Sequence, residues 1–595
     1  MTLVTPPNSL NPVTIIFGGG SGDLLLFAQY YWPEGAPIWN GTVLPQMSVT
    51  DWITTNANYT VWTFHIKPGL TWSNGQNVTA NDFLTSYGPK FEFNSTYDIL
   101  GVGPEIKQEY ASNSSTAVYV LNQSDARFAD KLNIDGAGNV VFPASVIDKY
   151  GPAYPNLANT ISMGPFYVGN YSQGQTEMTL YRNPYFKPQP HVCQVDVHFV
   201  ESLSDTATDL LSGQADITPL EYSNAPSVLG HPNLGIIDEK SSQITDLNYN
   251  VTVYPFNTTA FRQALAYGIN QSQIVQQAFG GYASTAYDSE GYVWSHDVMW
   301  YNHNIPTYSF NQTKALSLLS SMGIKRGSDG SLHYPNGTAV TLNVWTDSEN
   351  TEDAIIAQIV KTNLGHMGIG VNLQITSEAT IVGDITNNAQ NIARTGIVLG
   401  TSIVGPDEFI SQIIDPGWDT WEIAPIPNIS WEWPPNVQNE YMSNYTAAIS
   451  TDNRTLLTRY ADNIQMINAQ NLPTLILALP DSLWGYSTQR WTGWPVPPGE
   501  YFDYNIVLNP VAWDNLTPVG SASSSSTATS TQSLTQTSSS PSLTSTAVAS
   551  SNATSSSALN ATTYAIIGVI VLIIVVIGSV FFTRRGRSTT PHTSR

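Results

Sequence analysis

Residues Tyr564–Phe582 read YAIIGVIVLIIVVIGSVFF, nineteen positions without a charge. As a helix rising about 1.5 Å per residue, this run spans roughly 28 Å, close to the hydrocarbon core of a bilayer. Thr583-Arg584-Arg585-Gly586-Arg587 follows. Basic flanks stay on the cytoplasmic side, so the pattern predicts a single-pass cell-membrane anchor. The tail after it (583–595) would be cytoplasmic and everything before Tyr564 extracellular. A buried core helix is the competing reading, but the polar tract before the run and the basic tail after it favour the membrane.

That polar tract runs from Gly520 to Thr563 and is nearly all Ser, Thr and Ala. Such a composition cannot bury a core, so 520–563 reads as a disordered stalk. The globular part is then residues 1–519, long enough for more than one core. Met1-Thr2-Leu3-Val4-Thr5-Pro6-Pro7 lacks the basic start and long apolar run of a signal peptide, so the true start is expected to lie elsewhere.

Charge narrows the partners. Only 11% of residues are charged, and 22 Lys and Arg stand against 45 Asp and Glu, a net charge of −23. Nucleic acid, which wants a basic face, is excluded. The sparse cations would also limit self-repulsion if the exterior is acidic. N-x-S/T sequons recur along the chain, among them Asn58, Asn77, Asn113, Asn270, Asn311, Asn336, Asn444 and Asn453, as expected of a glycosylated exterior. The single cysteine, Cys193, rules out an intrachain disulfide and is expected to be a packed thiol.

The globular part alternates strand and helix signals, predicting a mixed α/β (α+β) protein with more than one sheet. Val195, Val197 and Phe199 alternate with Asp196 and His198. Thr79-Ala80-Asn81-Asp82 has the layout of a capping box with Asp in place of Glu. Asn270 and Asn311 stand where helix N-caps are needed, and Gly280 and Gly323 where helices stop.

Catalytic signatures are missing. The chain has no HExxH and no GxSxG, and its nine His are scattered. Gly18-Gly19-Gly20-Ser21-Gly22-Asp23 follows the apolar run Val13–Phe17 but lacks the Gly-Lys-Ser/Thr ending of a phosphate loop. No metal, cofactor or catalytic residue is predicted. Aromatic residues stand out instead: Trp418, Trp421, Trp431 and Trp433 crowd one Pro-rich stretch, and Trp484, Trp491 and Trp494 follow. Indole faces suit sugar rings or apolar peptide side chains in a cleft; packing of a loop on the core is the alternative.

Trp62-Thr63-Phe64-His65-Ile66-Lys67-Pro68-Gly69-Leu70-Thr71-Trp72-Ser73-Asn74-Gly75, followed by Val78-Thr79-Ala80-Asn81-Asp82-Phe83, resembles the hallmark of family 5 extracellular solute-binding proteins. These are receptors of ABC importers for peptides, nickel and oligosaccharides. Further matches come in the same order. They are Met163-Gly164-Pro165-Phe166, Arg182-Asn183-Pro184-Tyr185-Phe186, Leu211–Ile217, and Pro255-Phe256 with Phe261-Arg262-Gln263-Ala264-Leu265. The resemblance covers about residues 8–515.

The resemblance implies a bilobal, periplasmic-binding-protein-like clamp with an extra inserted lobe. Residues 1–44, 165–269 and 486–519 would form lobe I, 45–164 the inserted small lobe and 270–485 lobe II, hinged near Ile269-Asn270 and Leu483-Trp484. It implies a binding receptor rather than an enzyme, monomeric, closing on its ligand and passing it to ABC permease subunits. Peptide-binding members carry an early Asp in a loop that here reads Gly400–Phe409, where Ile403 or Val404 takes that place. Peptide and oligosaccharide ligands therefore both stay open. The candidate ligand residues are Tyr31, Trp345, Asp407, Trp418 and Trp421; for each, a structural role is the alternative, Asp407 as a helix cap and Tyr31 as core. Other functional readings are a cell-surface glycosidase, an acid peptidase or a structural envelope glycoprotein. Stalk, sequons and anchor together are of archaeal type.

Overall fold

The computed structural model describes residues 1–4, 36–38, 42–44, 48–87, 105–132, 141 and 143–150, 161–171, 175–240, 243–293 apart from 250 and 252, 300–377 apart from 349, 380–381, 396–403, 435–494 and 515–520. All but Gly520 fall in one compact unit, residues 1–92 with 100–519. The stalk beyond Gly520 and the apolar run Tyr564–Phe582 lie outside the described residues. Among the described residues no helix is long and apolar enough to cross a membrane.

Among the described residues the three larger sheets carry the three largest cores. The first is antiparallel, in the order Thr50–Thr55, Val61–Ile66, Thr116–Leu121, Ile106–Asn113. Val61–Ile66 alternates as a half-buried strand must, turning Trp62, Phe64 and Ile66 inward. Phe64 meets Phe83 at 5.0 Å and the edge of Tyr119 at 5.6 Å, and Trp72 and Phe128 complete this core. The long motif reads physically here. Gly75 sits at φ +85° in a turn closed by its N–H on the Trp72 carbonyl at 2.8 Å. The capping box forms with Asp as its acid: Thr79 N–H donates to Asp82 Oδ2 at 2.7 Å, and the helix Ala80–Tyr87 follows.

The second sheet runs Thr2–Val4, Gln194–Val200, Glu177–Arg182, Phe166–Asn170, its first pair parallel. Val195, Val197 and Phe199 face inward as their spacing predicts. Trp484 and Trp494 join them, so these two indoles are core and not ligand contacts. Asn183 explains the Arg-Asn-Pro motif: its buried amide donates to the Gly164 carbonyl at 2.9 Å and accepts from Tyr185 N–H at 3.0 Å. Cys193 is exposed, contrary to the packed thiol expected. It precedes Gln194–Val200 and so escapes the alternation that buries that strand's apolar residues.

The third sheet has eight strands arranged about Thr474–Ser487. The first part of that strand pairs with Gln243–Tyr249, which leads on to Gly396–Ile403, Thr341–Asp347 and Gly370–Thr376. Its last part pairs with Leu234–Lys240 and Ile217–Pro219. The chain thus crosses between two neighbourhoods twice, at 240–243 and at 479–481. Ile269, expected at a hinge with Asn270, is fully buried in the largest core, with Leu247, Phe261, Ile274, Leu364 and Ile464. Leu247, Phe261 and Ile269 thus share one core with residues that follow Asn270.

The helices of that core begin on the expected caps. Asn270 accepts from Gln273 N–H at 3.1 Å, and Asn311 from Lys314 N–H at 2.9 Å. Arg262, from the resemblance motif, is a buried guanidinium ringed by acceptors. Nε donates to the carbonyls of Asn471 at 2.8 Å and Leu472 at 3.0 Å, Nη1 to Phe256 at 2.5 Å, Nη2 to Asn471 and to Thr259 Oγ1. Burial lowers its pKa. It ties a helix start to the turn that launches the strand Thr474–Ser487.

Candidate ligand face and hinge

Trp345 lies on the strand Thr341–Asp347, and the alternation of that strand divides its roles. Leu342 and Val344 bury against the helix Thr351–Met367 and its Ile356, Val360 and Leu364. Asn343, Trp345 and Asp347 take the other face and remain half-buried. Register extends that face across the sheet. Trp345 pairs with Gln374 on one side and Val398 on the other, Val398 with Asn248, and Asn248 with Thr474.

The row beyond is acidic. Asp246 is buried, accepting from Asn248 Nδ2 at 2.7 Å and from Thr474 Oγ1 at 3.0 Å. Glu290, fully buried, accepts from Ile476 N–H at 3.3 Å through Oε2, while its Oε1 has no partner. Burial pushes the Glu290 carboxyl well above the ordinary range, and the charge on Asp246 adds to the shift. An indole flanked by amides, with buried carboxylates behind it, can hold an apolar flat group on one side and hydrogen-bond donors on the other.

The other predicted ligand residues, Tyr31, Asp407, Trp418 and Trp421, lie outside the described residues, as do Trp431 and Trp433.

A polar cluster marks the strand crossing. Lys240 Nζ reaches both oxygens of Asp481, at 2.8 and 2.7 Å, across the pair Leu234–Lys240 with Thr474–Ser487. The Asp481 side chain is 3% exposed and that of Lys240 42%. Burial raises the Asp481 carboxyl to about 6 against the opposing pull of Lys240, and Asp238 adds to the rise. The Asp481 main chain is held from two sides: Tyr222 Oη donates to its carbonyl at 2.7 Å, and its N–H donates to the Tyr282 carbonyl at 3.1 Å. Tyr222 packs against both the large core and the smaller cluster of Leu220 and Leu483, edge-on to Phe279 at 5.1 Å.

Glu239 completes the crossing. It is buried, its Oε2 has no partner, and burial lifts its carboxyl to about 8. Sequence reasoning missed Tyr222, Glu239, Lys240, Glu290 and Asp481. Their partners are mostly distant in the chain, and no local spacing signals them. Among the described residues no group of three or more His, Cys, Asp or Glu could hold a metal ion.

Comparison with known proteins agrees with this architecture. The family described as bacterial extracellular solute-binding proteins, family 5 Middle, matches residues 43–419. A probable ABC transporter-binding protein of Deinococcus radiodurans is 23% identical over 385 residues, 58% of this chain and 64% of that protein. The chain thus spans less than two thirds of that relative. The oligopeptide-binding protein AppA of Bacillus subtilis is 22% identical over 444 residues, 71% of this chain and 77% of AppA. The structure of AppA in complex with a nonapeptide covers 87% of this chain and 97% of its own, with a TM-score of 0.64 at 18% identity. That likeness concerns the fold. Fold, ordered motifs and the family match converge: the chain belongs to the extracellular solute-binding proteins of family 5.

Proposed function

We infer that this chain is the receptor of an ABC importer, capturing a peptide or a related small polar solute by hinge closure and delivering it to permease subunits in the same membrane. The observation that carries the reading is that Leu234–Lys240 and Gln243–Tyr249 pair with successive parts of one continuous strand, Thr474–Ser487, so that the chain crosses twice within one sheet. Few backbone torsions at such a crossing can swing two packed bodies, and ligand selects the shut state by touching both. Family membership supplies the rest, its members being binding receptors rather than enzymes.

Trp345, with Asn343, Asp347 and Asn248 on its face, forms the lobe II side of the site in this reading; Tyr31, Asp407, Trp418 and Trp421 join it. An indole beside amide and carboxylate groups also suits a sugar ring, so oligosaccharides are the second ligand class. The receptor is monomeric and works outside the cell, held by the anchor Tyr564–Phe582 on the 520–563 tether, in an archaeal-type arrangement.

Calorimetry and tryptophan fluorescence on the full chain in detergent test this. Di- to hexapeptides and small glycans are titrated, and the solution is analysed for products. Saturable binding of one class with a single closing transition and intact ligand is the expected result. Released fragments would make the protein a surface glycosidase or peptidase, and assembly into a lattice without any ligand response would make it an envelope component.

A further inference from the structure

The sequons differ in what the fold does with their side chains, and the difference sorts them. At Asn113 and Asn336 the residue two places on folds back onto the asparagine. Ser115 donates to Asn113 Oδ1 through its N–H at 2.9 Å and its hydroxyl at 3.0 Å. Thr338 donates to Asn336 Oδ1 through its N–H at 3.0 Å and its hydroxyl at 2.7 Å. Both are exposed turns. Asn113 ends the strand Ile106–Asn113 at its two-residue link to Thr116–Leu121. Asn336 precedes Gly337, which has φ +85° and donates its N–H to the Tyr334 carbonyl at 2.8 Å. In both, Nδ2 is left out of any hydrogen bond.

At five other sequons the fold spends the same groups on itself. Asn270, Asn311 and Asn453 use Oδ1 to cap helices. Asn444 has its Nδ2 bound to the Glu440 carbonyl at 2.9 Å within a helix, and the Thr79 hydroxyl of the Asn77 sequon is held by Asp82 at 2.8 Å.

We propose that Asn113 and Asn336 are N-glycan acceptor sites of the folded protein and that Asn270 and Asn444 stay bare. In the transfer, Nδ2 bonds to the anomeric carbon of a polyprenyl-phosphate-linked oligosaccharide. The bond from that carbon to the phosphate oxygen breaks, the lipid phosphate leaves, and Nδ2 gives up a proton. As it does so, charge gathers on Oδ1, where the two donors of the turn already stand. A glycan on Asn444 would have to break the bond its amide nitrogen makes to its own helix; one on Asn270 would crowd a half-buried cap whose own main-chain N–H donates to Asn363 Oδ1 at 2.7 Å.

The inference rests on the extracellular reading. Peptide mapping by mass spectrometry on protein from its native membrane tests it, and the expected result is sugar on Asn113 and Asn336 and none on Asn270 or Asn444. Ser115→Ala and Thr338→Ala should each empty their own site with Tm unchanged, while Ser115→Thr keeps its glycan. A bare Asn113 or Asn336, or sugar on Asn270 or Asn444, overturns the sorting. No sugar on any sequon overturns the sorting and removes its extracellular premise as well.

Discussion

Tyr222 and Asp481 lie 259 residues apart and meet where the long strand changes partners, the phenol donating to the main-chain carbonyl at 2.7 Å. The contact joins the short helical turn Tyr222–Asn224 to the strand Thr474–Ser487, and the same ring rests on Phe279 of the large core. It ties two distant parts of the chain, and it can be cut without disturbing packing.

Tyr222→Phe removes one hydrogen bond and keeps the ring. Net hydrogen bonds contribute about 1 kcal/mol, and unfolding by urea should show a loss of that order. Ligand-induced closure, followed by stopped-flow fluorescence, should change rate more than amplitude. Unchanged stability together with unchanged closure would dismiss the tie.

Lys240→Met strips Asp481 of its charged partner. Because Lys240 is partly exposed, the cost is set at about 2 kcal/mol and not at the full value for a buried pair. The cost should be present at pH 7.5 and shrink at pH 5, where Asp481, whose pKa lies near 6, takes up a proton. A penalty equal at both pH values would refute the role given to this ion pair.

Glu239 carries a folded-state pKa of about 8, raised by burial. A carboxyl raised on folding binds more protons in the native than in the unfolded state. Its contribution is therefore intact below the unfolded value near 4.5 and is lost as pH climbs to about 8. Glu290 and Asp481 shift in the same direction. Stability should fall between pH 5 and 8, which accords with a protein suited to an acidic exterior. Glu239→Gln should match the native chain near pH 5 and exceed it by about 1–3 kcal/mol at pH 8. A variant equally stable or weaker at pH 8 would contradict this.

Arg262→Lys keeps the charge but cannot reach acceptors on Phe256, Thr259, Asn471 and Leu472 at once. Leaving buried carbonyls unmet costs about 1–3 kcal/mol, to be read as a lower Tm with ligand affinity unchanged once folded.

Trp345→Ala, at a half-buried position outside the cores, should leave Tm within a few degrees of the native value and weaken ligand binding about tenfold or more by calorimetry. Equal affinity would move the site off this face.

Much of the scaffold is legible in the sequence because it is local. The capping pair Thr79 and Asp82 spans one turn, the caps Asn270 and Asn311 act within three residues, and Val195, Val197 and Phe199 declare their strand by alternation. Arg262 and Asn183 stand in motifs that identify the family, and the structure gives each a structural task. The crossing is not legible. Glu239 is buried on a strand whose partner comes more than two hundred residues later, and no neighbour in sequence announces it. Ile269 ends a helix plainly enough, but which core that helix joins depends on where Gln243–Tyr249 pairs. Trp345 is a candidate from the sequence, whereas Asn248 and Asp246 join its sheet face only through register.

Pro480 stands at the junction of the long strand, opposite Ala283, and has no N–H to give to a ladder. The strand also comes late in the chain. During synthesis Leu234–Lys240 and Gln243–Tyr249 emerge long before it, and their edges must wait, open to aggregation, until the late strand pairs with both in turn. A nearly finished chain therefore leaves the ribosome with both strands still lacking their shared partner.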